Sequence, residues 1–547
     1  MTSVSQAIAE VVRDRAAVTF GLMGNGNAYF LDGLVRDGGR FVAVRHEVAS
    51  VAAADTYFRV TGQVAAASVT YGAGYTNTLT ALAEARMAHT PMVVVVGDQP
   101  TTGPRPWDVD QVAMADAMGV STITADVHNP RAATSEAFDR ALRDRVPVIL
   151  AIPYDLAVVP ARAESAPSTP LALEHITLDS DTYPVVVDAL RRAERPLIVA
   201  GRGASECASA LADLADRIGA LTATTAVAKG TFAGRDTDLG VCGGFAAQPN
   251  AEAIAEADVV LVVGAGLNQF TRAFGHAFDE GANIIQVDIA EAPTDSCVTH
   301  YLRGDAVEVV DRLLGDLDST DRTSWLVRSR AAVGHVTGSE FAADGLLDPR
   351  ALTVALNEMV PANRLVVQDG GHFSGWVPMY WNIPAPRRMH MVGTAFQTIG
   401  LGLGSATGAS VALPDATTVL VAGDGGFLMS LADLETLARV STSTVVIIYN
   451  DSAYGAEVHQ YGARGVHEGP MGIGGVDFAE LATAVGAWGH TVHTLDDLSY
   501  LREWVAAGAS GMLLLDCRVS PQVVAPYMNE IVKVAAAAEE RNVATHS

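Results

Sequence analysis

Residues 417–455 read TTVLVAGDGGFLMSLADLETLARVSTSTVVIIYNDSAYG. Thr417–Ala422 is an apolar, β-branched run of strand length, and Thr444–Tyr449 is a second. Between them, Leu428–Val440 sets apolar residues at helical spacing. Two parallel strands joined by a helical crossover end on the same edge of a sheet. Here those ends carry Gly423-Asp424-Gly425 and Asn450-Asp451. The unit therefore brings two carboxylates to the edge where α/β sheets bind ligands.

Adjacent carboxylates repel unless they share a proton or a cation. Oxygen donors beside a glycine-rich turn suit Mg²⁺ holding a phosphate, because backbone N–H groups approach phosphate oxygens where no Cβ intervenes. The competing reading is a ligand-free sheet whose aspartates cap helices or turns.

The chain has 547 residues, too many for one core, so roughly two to four domains are expected. Its 49% hydrophobic and 18% charged content is that of a globular protein. No apolar run approaches the roughly 18 residues that cross a bilayer, and the first residues lack a signal peptide's apolar centre. A net charge of −26 argues against nucleic acid as a partner. Cys207, Cys242, Cys297 and Cys517 form no CxxC pair and read as small buried hydrophobes in a reducing, cytoplasmic setting.

The plan of strand, glycine turn, helix and strand recurs near the start of the chain. Ala17–Met23 leads into Gly24-Asn25-Gly26-Asn27, and Phe41–Val44 ends at Arg45-His46-Glu47 ahead of a helix over Val48–Thr61. Val64–Thr70 runs into Tyr71-Gly72-Ala73-Gly74, followed by a helix over Thr76–His89 and the strand Met92–Gly97. Two related α/β domains are therefore expected. Glu47, at a strand end among apolar residues, can exchange a proton or hydrogen-bond a cofactor nitrogen; as a bland alternative it is an acid favoured by a helix dipole. Val158–Pro170 is a Pro/Ala/Ser-rich linker, and Ser319–Asp344 reads as a second. Between them, Gly201-Arg202-Gly203 and Gly264-Ala265-Gly266 follow strands, but neither completes GxGxxG, so neither is a dinucleotide fingerprint; this part reads as a nucleotide fold in which FAD or ADP is allowed but not supported. In the last part, Arg364–Gln368 ends in Asp369-Gly370-Gly371-His372, and Gly393–Gly408 reads as a small-residue helix able to pack closely on a backbone. The tail Pro521–Ser547 reads as helical and placed to cover a site.

Over its full length the chain resembles the thiamin-diphosphate-dependent 2-oxo-acid enzymes, a family of decarboxylases, acetohydroxyacid synthases, benzaldehyde lyase and 2-hydroxyacyl-CoA lyases. Three motifs carry the resemblance: GDG with Asn-Asp at the end of the next strand, Arg-His-Glu at Glu47, and Gly72-Ala73-Gly74 with Asn77. It implies an α/β fold of three doubly wound parallel-sheet domains, pyrimidine-binding over 1–157, central over 171–318 and diphosphate-binding over 345–547. It implies thiamin diphosphate and Mg²⁺, the metal held by Asp424, Asp451 and the carbonyl of Ala453. Gly72, Asn77, Gly371, His372, Thr398, Ile399, Gly423, Gly425, Gly426, Tyr454 and Gly455 would meet the cofactor. Ile399 would be the wedge that bends the cofactor, and Glu47 would hydrogen-bond N1′ of its pyrimidine. Glu47 and the metal site of one active site would come from different subunits, which implies a homodimer or homotetramer.

The reaction implied is decarboxylation of a 2-oxo acid, carboligation of the resulting enamine, or both; the alternative is a lyase cleaving a 2-hydroxyacyl-CoA or 2-hydroxy ketone. The resemblance makes Asn25 a neutral substrate-facing group, Glu457 a proton relay and Gln111 an active-site amide. Gly266 and Phe270 stand where acetohydroxyacid synthases carry arginines, and the paired histidines of pyruvate decarboxylases have no counterpart near Gln111. A non-catalytic homologue would be expected to lack Glu47 or the Asp424/Asp451 pair, and all three are present.

Overall fold

The computed structural model describes residues 2–162, 176, 178, 181–331 and 334–534. Among these described residues, eighteen strands form three six-stranded sheets in which every strand pairing is parallel. Helices cover the faces, so central strands such as Met92–Asp98 and Pro147–Pro153 are buried throughout, which is why they read as continuous apolar runs.

Counted from its own first strand, the first sheet has the order 2-1-3-4-6-5, and the third sheet repeats it. The expected relation between the two outer domains is thus present in topology. The middle sheet runs 3-2-1-4-5-6, the order of dinucleotide-binding sheets. At its switch point the strands Pro196–Ala200 and Val259–Val263 lie side by side, and Gly203 N–H donates to Gly264 O at 2.9 Å. The two glycine turns there bond to each other.

Several elements differ from the sequence reading. The small-residue helix begins only at Gly402 and runs to Ala412; residues 393–401 form a loop in which Gly393, Gln397 and Gly400 all have positive φ. The helix expected over Leu428–Val440 is broken into Asp424–Met429, a short 3₁₀ turn and Leu434–Val440. The helix expected over Thr76–His89 is split at Asn77 into Ala73–Thr76 and Leu79–Met87. Part of the second expected linker belongs to the middle sheet. Trp325 is buried with Nε1–H donating to Pro196 O, and buried Arg322 donates to Ala193 O. Most of the first linker, and the tail beyond residue 534, lie outside the described residues.

The helix Glu47–Thr61 packs on Gly402–Ala412. A Cβ on Gly404 would come within 2.8 Å of Ala49 Cα, and one on Gly408 would run into Ala53 O. Glycine there lets two helix backbones approach closely, so the helix that starts at Glu47 is seated on the domain of the third sheet in its own chain.

Candidate active site

Strand Thr417–Gly423 pairs in register with Ser443–Asn450, Gly423 opposite Tyr449, so both acidic turns do leave the same sheet edge. Asp424 opens the helix Asp424–Met429 and is 2% exposed. Its Oδ1 accepts Gly425 N–H at 3.0 Å, and its buried Oδ2 has no hydrogen-bond partner. Burial and then the charge of Asp451 push the Asp424 carboxyl up to about 7, and burial raises Asp451 to about 6. Asn450, the other polar group of this turn, faces inward: Nδ2 donates to Asp516 at 2.8 Å and Oδ1 accepts Ser452 N–H. That leaves Asp451 for a ligand. Its loop is tight, with Ser452 at φ 59°, and a Cβ on Gly455 would meet Asp451 Oδ2 at 2.5 Å.

An orphaned buried oxygen facing a second carboxylate is the donor chemistry of a divalent cation. No cluster of three His, Cys, Asp or Glu side chains suited to a metal occurs among the described residues. Mg²⁺ does not require one, since it commonly takes one or two carboxylates and fills its remaining positions with water and phosphate oxygens.

Asp369 organises the approach to this edge, a role missed in the sequence because it stood as one more acid before a glycine pair. It is 1% exposed and accepts N–H bonds from Gly370, Gly400 and Gly402 at 2.8 to 3.1 Å. The loop carrying Thr398 and Ile399 is thereby tied back to the Gly370-Gly371 turn, where a Cβ on Gly370 would touch Ile399 Cγ2 at 2.9 Å. His372 is buried against His459, ring centroids 4.4 Å apart. Burial and then His459 bring its pKa down to about 3, and Nε2 accepts Ala525 N–H at 2.9 Å. Tyr527 Oη donates to His372 O at 2.8 Å, so the start of the tail is fastened beside the site.

The site residues expected in the first domain form a second group. Glu47 is half-buried at the first position of its helix, and Oε2 accepts from Asn77 Nδ2 at 3.0 Å. Gln111 is buried with both ends of its amide engaged: Oε1 accepts Gly72 N–H at 2.6 Å, and Nε2 donates to Gly97 O and Asp98. It is placed to hold the Gly72 turn. Asn25 is exposed and donates to Tyr71 Oη at 2.9 Å. The ring of Tyr71 lies under the guanidinium of Arg105, which is 4.2 Å from the ring centroid.

A cavity of about 1780 Å³ runs between the domains. It is lined by Gly371, His372, Thr398, Ile399, Gly423, Asp424, Gly425, Gly426, Asp451, Ala453, Tyr454, Gly455 and Glu457. Glu47, Gly72, Asn77, Gln111 and Asn25 do not line it. Within one chain the two groups of residues do not line a common cavity.

Three family models match the chain in sequence: the thiamine pyrophosphate enzyme N-terminal TPP binding domain over residues 2–118, the central domain over 185–313, and the C-terminal TPP binding domain over 369–517. The chain belongs to the thiamine pyrophosphate enzyme family and is an enzyme of its decarboxylase and synthase type. It is 28% identical to the probable 2-ketoarginine decarboxylase AruI of Pseudomonas aeruginosa, over 94% of each chain. It is 26% identical to the acetolactate synthase large subunit of Pyropia yezoensis, over 93% of this chain and 90% of that one. Among solved structures it matches the thiamine diphosphate-dependent 4-hydroxybenzoylformate decarboxylase of Rhodococcus jostii RHA1. That match has a TM-score of 0.79 at 22% identity and covers 95% of this chain and 99% of the other.

Proposed function

We propose that the protein is a thiamin-diphosphate- and Mg²⁺-dependent enzyme that decarboxylates a 2-oxo acid, passes the resulting acyl unit to a second carbonyl, or does both. The observation that carries this reading is the orphaned Oδ2 of Asp424 beside Asp451 on one sheet edge, together with Glu47 on the equivalent edge of the topologically matching sheet. Asp424, Asp451 and the Ala453 carbonyl would hold the metal, and with it the diphosphate. Bound there, the cofactor supplies a thiazolium carbon that adds to a carbonyl and accepts the electron pair freed when CO₂ leaves. Glu47 holds a proton on the pyrimidine ring nitrogen, Asn77 fixes the Glu47 carboxylate, and Gln111 keeps the Gly72 turn in place. Glu457, exposed in the cavity and three residues past Tyr454, would move a proton to or from the reacting carbon.

The separation of the half-sites supports a homodimer, or a homotetramer built from such dimers, in which each site joins Glu47 of one chain to the metal pair of another. Large apolar side chains exposed near each half support the same arrangement: Met23 and Trp107 on the pyrimidine side, and Met429 beside Gly400 on the other. The domain limits 1–157, 171–318 and 345–547 belong to this reading. Cys207, Cys242, Cys297 and Cys517 are free thiols, which supports a reducing compartment such as the cytoplasm. No described helix is long and apolar enough to cross a membrane.

The test is product analysis of the purified protein with both cofactors against pyruvate, longer and aromatic 2-oxo acids, acyloins and 2-hydroxyacyl-CoAs. CO₂ or a 2-hydroxy ketone from a 2-oxo acid is the expected result. Turnover of the CoA thioester or acyloin alone would move the assignment to a lyase.

A further inference from the structure

Two buried carboxylates outside the site reach across a domain boundary to its loops. Asp433 stands at the N-cap position of helix Leu434–Val440, where an aspartate ordinarily accepts N–H groups of its own first turn. Its side chain accepts none of them. Oδ1 instead accepts Arg45 N–H at 2.8 Å and Oδ2 accepts His46 N–H at 3.1 Å, while Thr436 Oγ1 donates to Oδ1 at 2.8 Å. Arg45 and His46 immediately precede Glu47, and His46 is the N-cap of its helix. The grip is reinforced at the surface, where Arg439 donates to Ala43 O and Arg45 pairs with Glu435 at 2.8 Å.

The second carboxylate is the mirror case. Glu84 lies within helix Leu79–Met87 of the pyrimidine domain and is 1% exposed. Oε1 pairs with Arg59 at 3.1 Å, and Oε2 accepts the N–H of Phe396 at 2.8 Å, in the loop that leads to Thr398 and Ile399. Arg59 is held by Asp55 at 2.8 Å and donates to Met391 O at 3.5 Å, before the same loop.

Burying a carboxylate is costly, and for stability alone a well-packed apolar side chain serves as well or better. Asp433 spends both oxygens, and Glu84 one of its two, on backbone N–H groups of the other domain, beside a residue the proposed chemistry uses. We propose that Asp433 and Glu84 are positioning residues, reciprocal clamps by which each outer domain sets the backbone of the other's active-site loop. Asp433 fixes where Glu47 begins, and Glu84 fixes where Ile399 stands. What these loops then do rests on the thiamin-diphosphate reading above; the clamps themselves do not.

The test pairs amide hydrogen exchange of the cofactor-free protein with kinetics of the loaded enzyme. Asp433→Asn speeds exchange at Arg45 and His46 by about tenfold, the effect of losing one ordinary hydrogen bond to a charged group, and leaves Phe396 as it was. Glu84→Gln gives the converse pattern. With cofactors bound, Asp433→Asn lowers kcat by about tenfold, leaves KM within about twofold and leaves thiamin diphosphate affinity unchanged, as expected when loss of the clamp misplaces Glu47 for the transition state and leaves substrate binding alone. Should Asp433→Asn not fold, Thr436→Val removes one donor, keeps the charge and gives the same pattern at smaller amplitude. The proposal is overturned if either variant loosens both loops equally or neither, or if kcat falls only in step with thermal stability. Wild-type protein inert toward every 2-oxo acid would sink the functional reading, while the exchange data would still decide the clamps.

Discussion

The two outer domains share one strand order and differ in what they leave unsatisfied. On the pyrimidine side the polar groups are paired within the chain: Glu47 with Asn77, Gln111 with Gly72, Gly97 and Asp98, and Asn25 with Tyr71. On the diphosphate side Asp424 keeps a buried oxygen without a partner, next to a second carboxylate that also resists ionisation. One edge is finished by folding, and the other leaves a buried carboxylate oxygen unpaired. The same scaffold thus carries two kinds of edge, and the chemistry lies in the loops rather than in the sheet.

The contrast can be broken by substitution. The largest effect is expected for Glu47→Gln, which keeps the hydrogen bond to Asn77 within reach but removes the proton acceptor. Turnover should fall by about 10²-fold or more, with thiamin diphosphate still bound, as measured by steady-state kinetics and cofactor titration. Retained turnover would show that the pyrimidine edge does no chemistry.

Asp424→Asn probes the unfinished edge. Cofactor and Mg²⁺ binding should be lost by calorimetric titration, yet the cofactor-free protein should gain about 1–2 kcal/mol in denaturant unfolding, because a buried unpaired charge is removed. A loss of stability instead would mean that the carboxylate is already satisfied without a metal. Chelation of Mg²⁺ from the wild type should likewise release thiamin diphosphate.

The smallest effect on chemistry, and a clear one on folding, is expected at Gln111. Gln111→Ala strands the N–H of Gly72 and should destabilise the protein by about 1–3 kcal/mol. If Gln111 acts only by holding that turn, kcat should fall far less than in Glu47→Gln. An equal fall would return Gln111 to direct contact with substrate.

The acidic turns were legible in the sequence because they are local, an apolar run, a glycine turn and an acid at a strand end; the role given to Glu47 and the three-domain plan came from family resemblance, since length alone allowed two to four domains. The choice of Asp451 over Asn450 came from family resemblance, and the structure supplies a physical reason, since Asp516 binds the amide of Asn450. The roles of Asp369, Asp433 and Glu84 were not legible. Their partners are backbone N–H groups 31, 388 and 312 residues away, which leave no mark on local pattern. The loop over 393–401 was misread as helix because its glycines and small residues suit tight packing and sharp turns alike. Here Gly393 and Gly400 adopt positive φ, and the helix starts after them. Trp325 was placed in a linker because the surrounding charges hid one large apolar residue that the middle sheet buries.

The claim on which everything else depends is that the two half-sites, apart in one chain, make one active site between two. It is tested most directly by mixing Glu47→Gln protein with Asp424→Asn protein under conditions that exchange subunits and measuring CO₂ release from a turned-over 2-oxo acid. Each variant alone should be inactive. Half of the dimers in an equal mixture are mixed, and each holds one site with both wild-type groups, so activity should return to about a quarter of wild type. A mixture as inactive as its components, with subunit exchange verified, would contradict a site shared between chains.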